Sequence, residues 1–336
     1  MSIQITRESA AVLEPRIYEA LEIVCNEFRG LEVHQRYRNV FSRLLKPDPL
    51  GRVAMMGTDQ RDLFCPVLRN LIASHVPEDG SGAIFDFGAG DGQTFGLVAD
   101  AVPDGTTISL EEPSASYLKD YVSFLERDAR LRVGAVLEAG IDEIDAVAVR
   151  DGVTLPVDGS IDLALAMHSL YFATSLDAAL LRLTRFVRPG GALFCVVADE
   201  ASAYGGRTLR AYLAGGGHLE DAETHRAAVE RRRELLAPSE EGGGGLITVL
   251  GRAGIEVAVE AVRQPTRLYG HSLVDMVAFA SISIMADEVE PFFQHAARVL
   301  LEEPERIDLR IEVDGVRKGM WSVKQPQWVA VIRRVS

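Results

Sequence analysis

The sequence predicts an α/β fold built on a largely parallel, nucleotide-binding sheet, and two stretches carry that expectation. The first, 82–112, is GAIFDFGAGDGQTFGLVADAVPDGTTISLEE, which reads as strand, glycine turn, helix and a second strand ending in acid. The second, 160–198, repeats the pattern with an apolar run at 161–166, a helical stretch, the turn Arg188-Pro189-Gly190-Gly191 and another apolar run at 192–198. Strands buried on both faces read as continuous apolar runs, as Ala83-Ile84-Phe85 does here.

After the first strand, Asp86 introduces Gly88, Gly90 and Gly92 at alternate positions, with Ala89 between. Glycine suits such a turn because it takes positive φ and lets the backbone lie directly against a ligand. A helix expected over 93–102 would aim its free N–H groups at the same place, a seat for a carboxylate or phosphate. The spacing narrows the ligand: a dinucleotide fingerprint needs its third glycine three residues after the second, where Gln93 stands. G-x-G-x-G instead resembles motif I of the class I S-adenosylmethionine-dependent methyltransferases. That resemblance implies a Rossmann-like seven-stranded sheet with one antiparallel strand. It also implies S-adenosyl-L-methionine as cofactor, with S-adenosyl-L-homocysteine as product, held by Asp86, Gly88, Ala89, Gly90 and Gly92.

The segment TISLEEPSASYL adds an acid about twenty residues on, placed to accept hydrogen bonds from ribose hydroxyls. The family's E-P-S pattern selects Glu112 over Glu111 and brings Pro113, Ser114 and Tyr117 into the cofactor set. Gly140 and Ile141 stand where relatives place the adenine. The run D-L-A-L-A-M-H followed by R-P-G-G-A-L-F is a second methyltransferase resemblance, adding Met167 and His168.

Composition bounds the partners. With 336 residues, 47% hydrophobic and 25% charged, the chain can bury a large core and shows no disorder signature. A net charge of −14 would repel a phosphate backbone, so no nucleic-acid partner is expected. The best basic stripe, Arg226 and Arg231 to Arg233, is interleaved with Glu223, Glu230 and Glu234 and reads as a solvated helix face. The three cysteines are scattered without C-x-x-C, which points to a reducing cytoplasm. Neither a signal peptide nor a membrane span is expected. The seven histidines include no ligand-spaced pair beyond His218 and His225, so no metal is expected. A monomer or homodimer is anticipated.

In chain order, three- and four-residue periodicity over 8–45 predicts helices, forming an N-terminal helical cap over 1–57 that Lys46-Pro47-Asp48-Pro49 would end. The cofactor-binding core is expected over 58–200. It opens with a helix over 58–74, and a helix over 114–126 and a strand over 131–137 follow the glycine-loop unit. A hairpin-like insertion over 146–157, a helix over 175–186 and the strands already named complete it. Beyond Asp199, 201–245 is polar and ends in four glycines, which reads as a lid with a flexible hinge or as a surface insertion without function. The remainder, 246–336, is expected to hold a helix at 246–253, a strand at 255–262 and helices at 272–285 and 291–301. A hairpin turn at Asp314-Gly315 and a last strand at 328–333 close the chain. The cap, lid and late helices are expected to decorate a single domain.

Methyl transfer from a sulfonium is an in-line displacement that needs a positioned nucleophile in a water-poor cavity more than it needs a triad. Strand ends facing the crevice nominate His168, Tyr171, Asp199 and Glu200. His168 and Tyr171 are the catalytic expectation, because an imidazole can wall the cofactor and take a proton from the acceptor. The D/N-P-P-Y motif of nucleic-acid and protein amine methyltransferases is absent, which favours a small-molecule acceptor. The layout is similar to the histamine N-methyltransferase family. Glu111-Glu112-Pro113-Ser114 matches its V-E-P-S segment and Ser169-Leu170-Tyr171-Phe172 its M-L-Y-Y strand end. Tyr37 and Phe41 followed by Thr58-Asp59 resemble the start of its substrate pocket. The chain departs from it at the glycine loop, at His168 and in extra residues in the lid. The resemblance implies a cationic amine or guanidine acceptor met by Asp59. Each nomination has a plainer alternative: Tyr37 and Phe41 as core, Asp59 as a helix N-cap, Asp199 and Glu200 as openers of the lid helix. Oxygen or carbon methylation, or a non-catalytic nucleotide-binding protein on the same fold, are the competing functions.

Overall fold

The computed structural model describes residues 1–47, 53–54, 57–219, 222–282 and 288–336. The chain divides into two compact units, one made of Arg61–Val197, Glu230–Gln264 and Gln327–Ser336, the other of Met1–Gln60, Ala198–Val229 and Pro265–Pro326.

The first unit is built on a seven-stranded sheet. Its strands are β1 (Ala83–Phe87), β2 (Thr107–Glu111), β3 (Arg132–Leu137), β4 (Ile161–Met167), β5 (Val187–Ala198), β6 (Val257–Gln264) and β7 (Gln327–Arg334). Their order across the sheet is β3-β2-β1-β4-β5-β7-β6. β1 pairs in parallel with β2 and β4, β2 with β3 and β4 with β5, whereas β7 and β6 are antiparallel. This is the expected Rossmann-like seven-stranded sheet. Because β1 lies between β2 and β4, the strand order reverses at β1, and ligands of open α/β sheets bind outside the strand ends at such a switch point.

Period-two alternation sends each strand's side chains to two cores. Ile84, Ile108, Leu110, Leu163, Leu165 and Phe194 pack with Phe64, Leu68 and Ile72 of the helix Gln60–His75 and with Tyr121 and Leu125 of the helix Ala115–Arg127. Phe85, Phe87, Ala164, Leu193 and Cys195 pack on the other side with the helices Ile144–Asp151, Leu176–Phe186 and Gly245–Arg252.

Several expectations are corrected. The stretch 146–157 is no hairpin. Ile144, Val147 and Ala148 bury at helical spacing in the helix Ile144–Asp151, which Gly152 closes at φ 67°. The helix expected over 93–102 is one short turn, Gln93–Gly96, followed by a 3₁₀ turn at Ala99–Ala101, with Val98 between them at φ −125°. The Arg188–Gly191 turn lies inside β5, where the pairing with β4 shifts register between Ile161 and Leu163.

The four-glycine run folds into a closely packed turn. Gly242 and Gly244 sit at φ 93° and 94°, and a Cβ on Gly243 would lie 1.7 Å from the carbonyl oxygen of Ala237. The Gly243 N–H donates to Pro238 O at 3.0 Å. Glycine is needed there for left-handed backbone and for close approach.

In the second unit the helices Glu14–Phe28, Tyr204–Ala214, Leu273–Phe279 and Val289–Glu302 share a core that includes Phe28, Tyr204, Tyr212, Phe279 and Phe292. A four-stranded sheet, ordered Ser2–Gln4, Arg310–Glu312, Trp321–Lys324, Arg267–Gly270, belongs to the same unit. Asp48 and Pro49 of the expected helix stop, and Met285 at the end of the helix expected over 272–285, lie outside the described residues.

Candidate functional site

β1 delivers the chain into the loop Gly88–Gly92 with φ of 60°, 57° and 78° at its three glycines. Their neighbours differ. A Cβ on Gly88 would lie 2.1 Å from Ser169 Cβ and one on Gly92 2.5 Å from the Tyr121 ring, whereas one on Gly90 would meet nothing within 4 Å. Gly88 and Gly92 therefore serve packing within the protein, and Gly90 leaves the space a ligand can occupy. Three successive loop amides are held by the end of β2. Gly88 N–H donates to Glu111 Oε2 at 2.8 Å, Ala89 N–H to the Glu111 carbonyl at 3.0 Å, and Gly90 N–H to Glu112 Oε2 at 2.9 Å. Glu112 Oε1 accepts from Ser114 N–H at 2.9 Å. A carboxylate offers about four lone-pair sites, so Glu112 keeps capacity for ribose hydroxyls. The anion seat expected from a long helix after the loop is withdrawn, since that helix has four residues.

Buried Asp86 accepts from the Tyr121 hydroxyl at 3.1 Å. Burial pushes its pKa up to about 7, against the Tyr121 hydrogen bond and with the Glu112 charge. Burial likewise pushes Glu111 up to about 8, against the Gly88 N–H and with the charges of Glu112, Asp86 and Asp142. The cluster therefore carries less negative charge at neutral pH than its residue types imply.

Further cofactor candidates lie around this loop. Ser114 precedes the helix Ala115–Arg127, and half-buried Tyr117 is in its first turn beside exposed Pro113. After β3, the Gly140 carbonyl accepts from Glu143 N–H at 2.8 Å and Ile141 packs against the core. Met167 ends β4 and packs against the opposite core.

His168, next in the chain, adopts φ 58°, a left-handed conformation uncommon for residues other than glycine. Its N–H donates to Val196 O at 2.8 Å, and its Nδ1 lies 3.0 Å from the Tyr171 hydroxyl. The two rings stack with centroids 6.2 Å apart, and Arg232 lies 5.3 Å over Tyr171. Burial and the Arg61 charge lower the His168 pKa to about 4, opposed by Gln327. The imidazole is neutral at pH 7 and a weak base. Its Nε2 is buried without a hydrogen bond of ordinary geometry, and so is Ser169 Oγ beside it.

Of the acceptor candidates, Tyr171 belongs to the sheet unit and Tyr37, Phe41, Asp59, Asp199 and Glu200 to the other. Tyr37 and Phe41 stack at 6.0 Å and 18°, with Phe41 against that unit's core. Asp59 accepts from Arg267 N–H at 2.7 Å and from the Tyr269 hydroxyl at 2.9 Å, tying it to the strand Arg267–Gly270. Burial raises its pKa. The amide of Gln60 donates to Thr58 Oγ1 at 3.2 Å, so Asp59 is not the side chain that meets it. Asp199 and Glu200 are buried in the turn before the helix Tyr204–Ala214, outside its first turn, and Asp199 accepts from the Ser202 hydroxyl.

The sequence reading set Glu111 aside in favour of Glu112 and did not nominate Tyr121, Ser169, Gln327 or Arg61. Of these four, Arg61 left a signal, as a charge on the apolar face that Phe64, Cys65 and Leu68 define.

No protein-family model matches the sequence, and no curated protein matches it. Among solved structures, YcgJ from Bacillus subtilis is similar at 11% identity and a TM-score of 0.46, covering 80% of this chain and 97% of its own. Phosphoethanolamine N-methyltransferase 2 of Haemonchus contortus, solved with S-adenosyl-L-methionine, gives 13%, 0.40, 81% and 52%. The [4+2]-cyclase SpnF gives 18%, 0.40, 80% and 82%. Likeness at this level does not extend to activity.

Proposed function

We propose that the chain is an S-adenosyl-L-methionine-dependent methyltransferase of a small-molecule acceptor. The observation that carries the reading is the loop at the switch point of the sheet. Three of its amides are held by Glu111 and Glu112, and Gly90 is left facing open space. Adenosine would lie against that backbone with its ribose on Glu112, and the methionine tail would run past Gly90 toward the end of β4. There a neutral imidazole and an aromatic hydroxyl border the position where the methyl group would be transferred. Calorimetric titration with S-adenosylhomocysteine against NAD tests the cofactor. Binding of NAD alone would overturn it.

For the acceptor atom, a cationic amine or guanidine nitrogen is the primary reading, supported by the sequence resemblance and the net charge of −14. The nitrogen must be neutral to attack, and a neutral His168 or water would receive its proton. Methylation of oxygen or carbon is favoured by one observation: the Asp59 carboxylate already holds Arg267 and Tyr269 and is not left waiting for a cation. A metabolite screen with methyl-labelled cofactor separates the two. Products that are only phenol ethers, esters or C-methyl compounds would overturn the amine reading.

A further inference from the structure

We infer that Arg61 is a carboxylate anchor in the glycine-loop site, bonding the acid group of a ligand through its guanidinium. The helix Gln60–His75 places Arg61 one turn before Phe64 and Cys65, which are 1% and 8% exposed. The Phe64 ring lies 6.2 Å from that of His168, so this helix face looks onto the end of β4. Arg61 is half-buried on it, with its charge acting on Asp91 of the glycine loop and on His168. Burial lowers its pKa to about 10, which still leaves a cation at neutral pH.

Among the described residues the guanidinium makes no hydrogen bond and no ion pair. Asp91 is engaged elsewhere: its Oδ1 accepts from Gln93 N–H at 3.1 Å and its Oδ2 from Gln93 Nε2 at 2.6 Å. A guanidinium partly withdrawn from water gains from a hydrogen-bonded anion, and among the described residues Asp91 acts on this one through charge alone. Two further polar atoms at the end of β4 lack a hydrogen bond of ordinary geometry: Ser169 Oγ, on a residue 7% exposed, and His168 Nε2, on a ring that Gln327 also influences. A planar five-donor fork, a hydroxyl and a neutral imidazole suit a carboxylate, which pairs with arginine bidentately. One guanidinium, with the Asp91 charge already acting on it, matches a monoanion better than a phosphate dianion.

The carboxylate has two possible sources, the methionine tail of the cofactor or an acidic acceptor. The first rests on the cofactor reading above and the second does not. Wild type, Arg61→Met and Arg61→Gln are titrated with S-adenosylhomocysteine and with 5′-methylthioadenosine, the same nucleoside without the amino-acid tail. They are also titrated with sodium acetate, followed by the His168 imidazole NMR signals. If the tail is bound, the variants lose about tenfold to hundredfold in S-adenosylhomocysteine affinity and keep 5′-methylthioadenosine affinity. If an acceptor is bound, both nucleosides bind as in wild type and the acetate response disappears. Removing the cation should also raise the His168 pKa, which shows that a folded variant was measured. If wild type binds neither nucleoside, the cofactor reading fails by itself and acetate alone decides Arg61. Unchanged nucleoside affinities together with an unchanged acetate response overturn the assignment, and either variant suffices if the other does not fold.

Discussion

Glu112 and its neighbour divide one task between two carboxyls, and substitutions should separate them. Glu112→Ala removes the acceptor for Gly90 N–H and for ribose, so S-adenosylhomocysteine should bind at least about tenfold more weakly by calorimetry, at 1.5–3 kcal/mol per charged hydrogen bond. Glu111→Gln keeps an acceptor for Gly88 N–H and resembles the protonated acid, so it should bind nearly as wild type, whereas Glu111→Ala should not. A match between the Gln and Ala variants would show that Glu111 does not position the loop. His168 makes a prediction about pH. Its folded pKa of about 4 lies below the ordinary 6.5, so the native state prefers the neutral ring. The stabilisation is complete above pH 6.5 and is lost as pH falls toward 4, by up to about 1.4 kcal/mol per pH unit. His168→Asn tolerates the left-handed backbone and lacks that titration, so urea melts of the two proteins should converge as pH falls through this window. Of these side chains the sequence disclosed Glu112 and His168, which stand in recognisable local patterns. Glu111 and Ser169 matter because of what folding places opposite them, which spacing along the chain does not record, and Arg61 shows in the sequence only as a charge at helical spacing from Phe64 and Cys65.

The turn between the helices Ala222–Leu236 and Gly245–Arg252 shows where local reading succeeds and where it stops. Four glycines in a row identify a special backbone, and the sequence alone suggests slack. The folded turn instead uses Gly243 to bring the backbone against Ala237. Gly243→Ala should therefore lower the thermal midpoint, costing about 1–3 kcal/mol as an overpacking change, whereas a slack hinge would tolerate it. The core strands β1, β4 and β5 were legible as apolar runs next to turn residues, and β2 as an alternating stretch ending in acid. The helix Ile144–Asp151 was misread because Val147, Val149 and Leu155 suggest period two. Its buried positions, Ile144, Val147 and Ala148, follow helical spacing. The helix over 93–102 was overextended because periodicity continued past Gly96, a weak helix former that ends the α-helical turn.

Three stretches far apart in sequence make up the unit that lacks the seven-stranded sheet, and their shared core explains why they read as separate decorations. Phe28 meets Phe293 edge-on at 5.2 Å, a contact no local pattern announces. The sheet unit contains all of the proposed cofactor set, from Asp86 to His168, and a ligand stabilises the states whose opening would abolish its site. S-adenosylhomocysteine at a hundred times its Kd should add about 2.7 kcal/mol to such openings. Amides of β1, β2 and β4 that exchange by unfolding of this unit should then slow by about a hundredfold in hydrogen exchange. Amides in the helices Glu14–Phe28 and Val289–Glu302, which open with a different core, should keep their rates. Equal slowing in both sets would mean that the chain unfolds as one cooperative body. Slowing in neither, at a concentration that calorimetry shows to be saturating, would place the ligand away from the glycine loop.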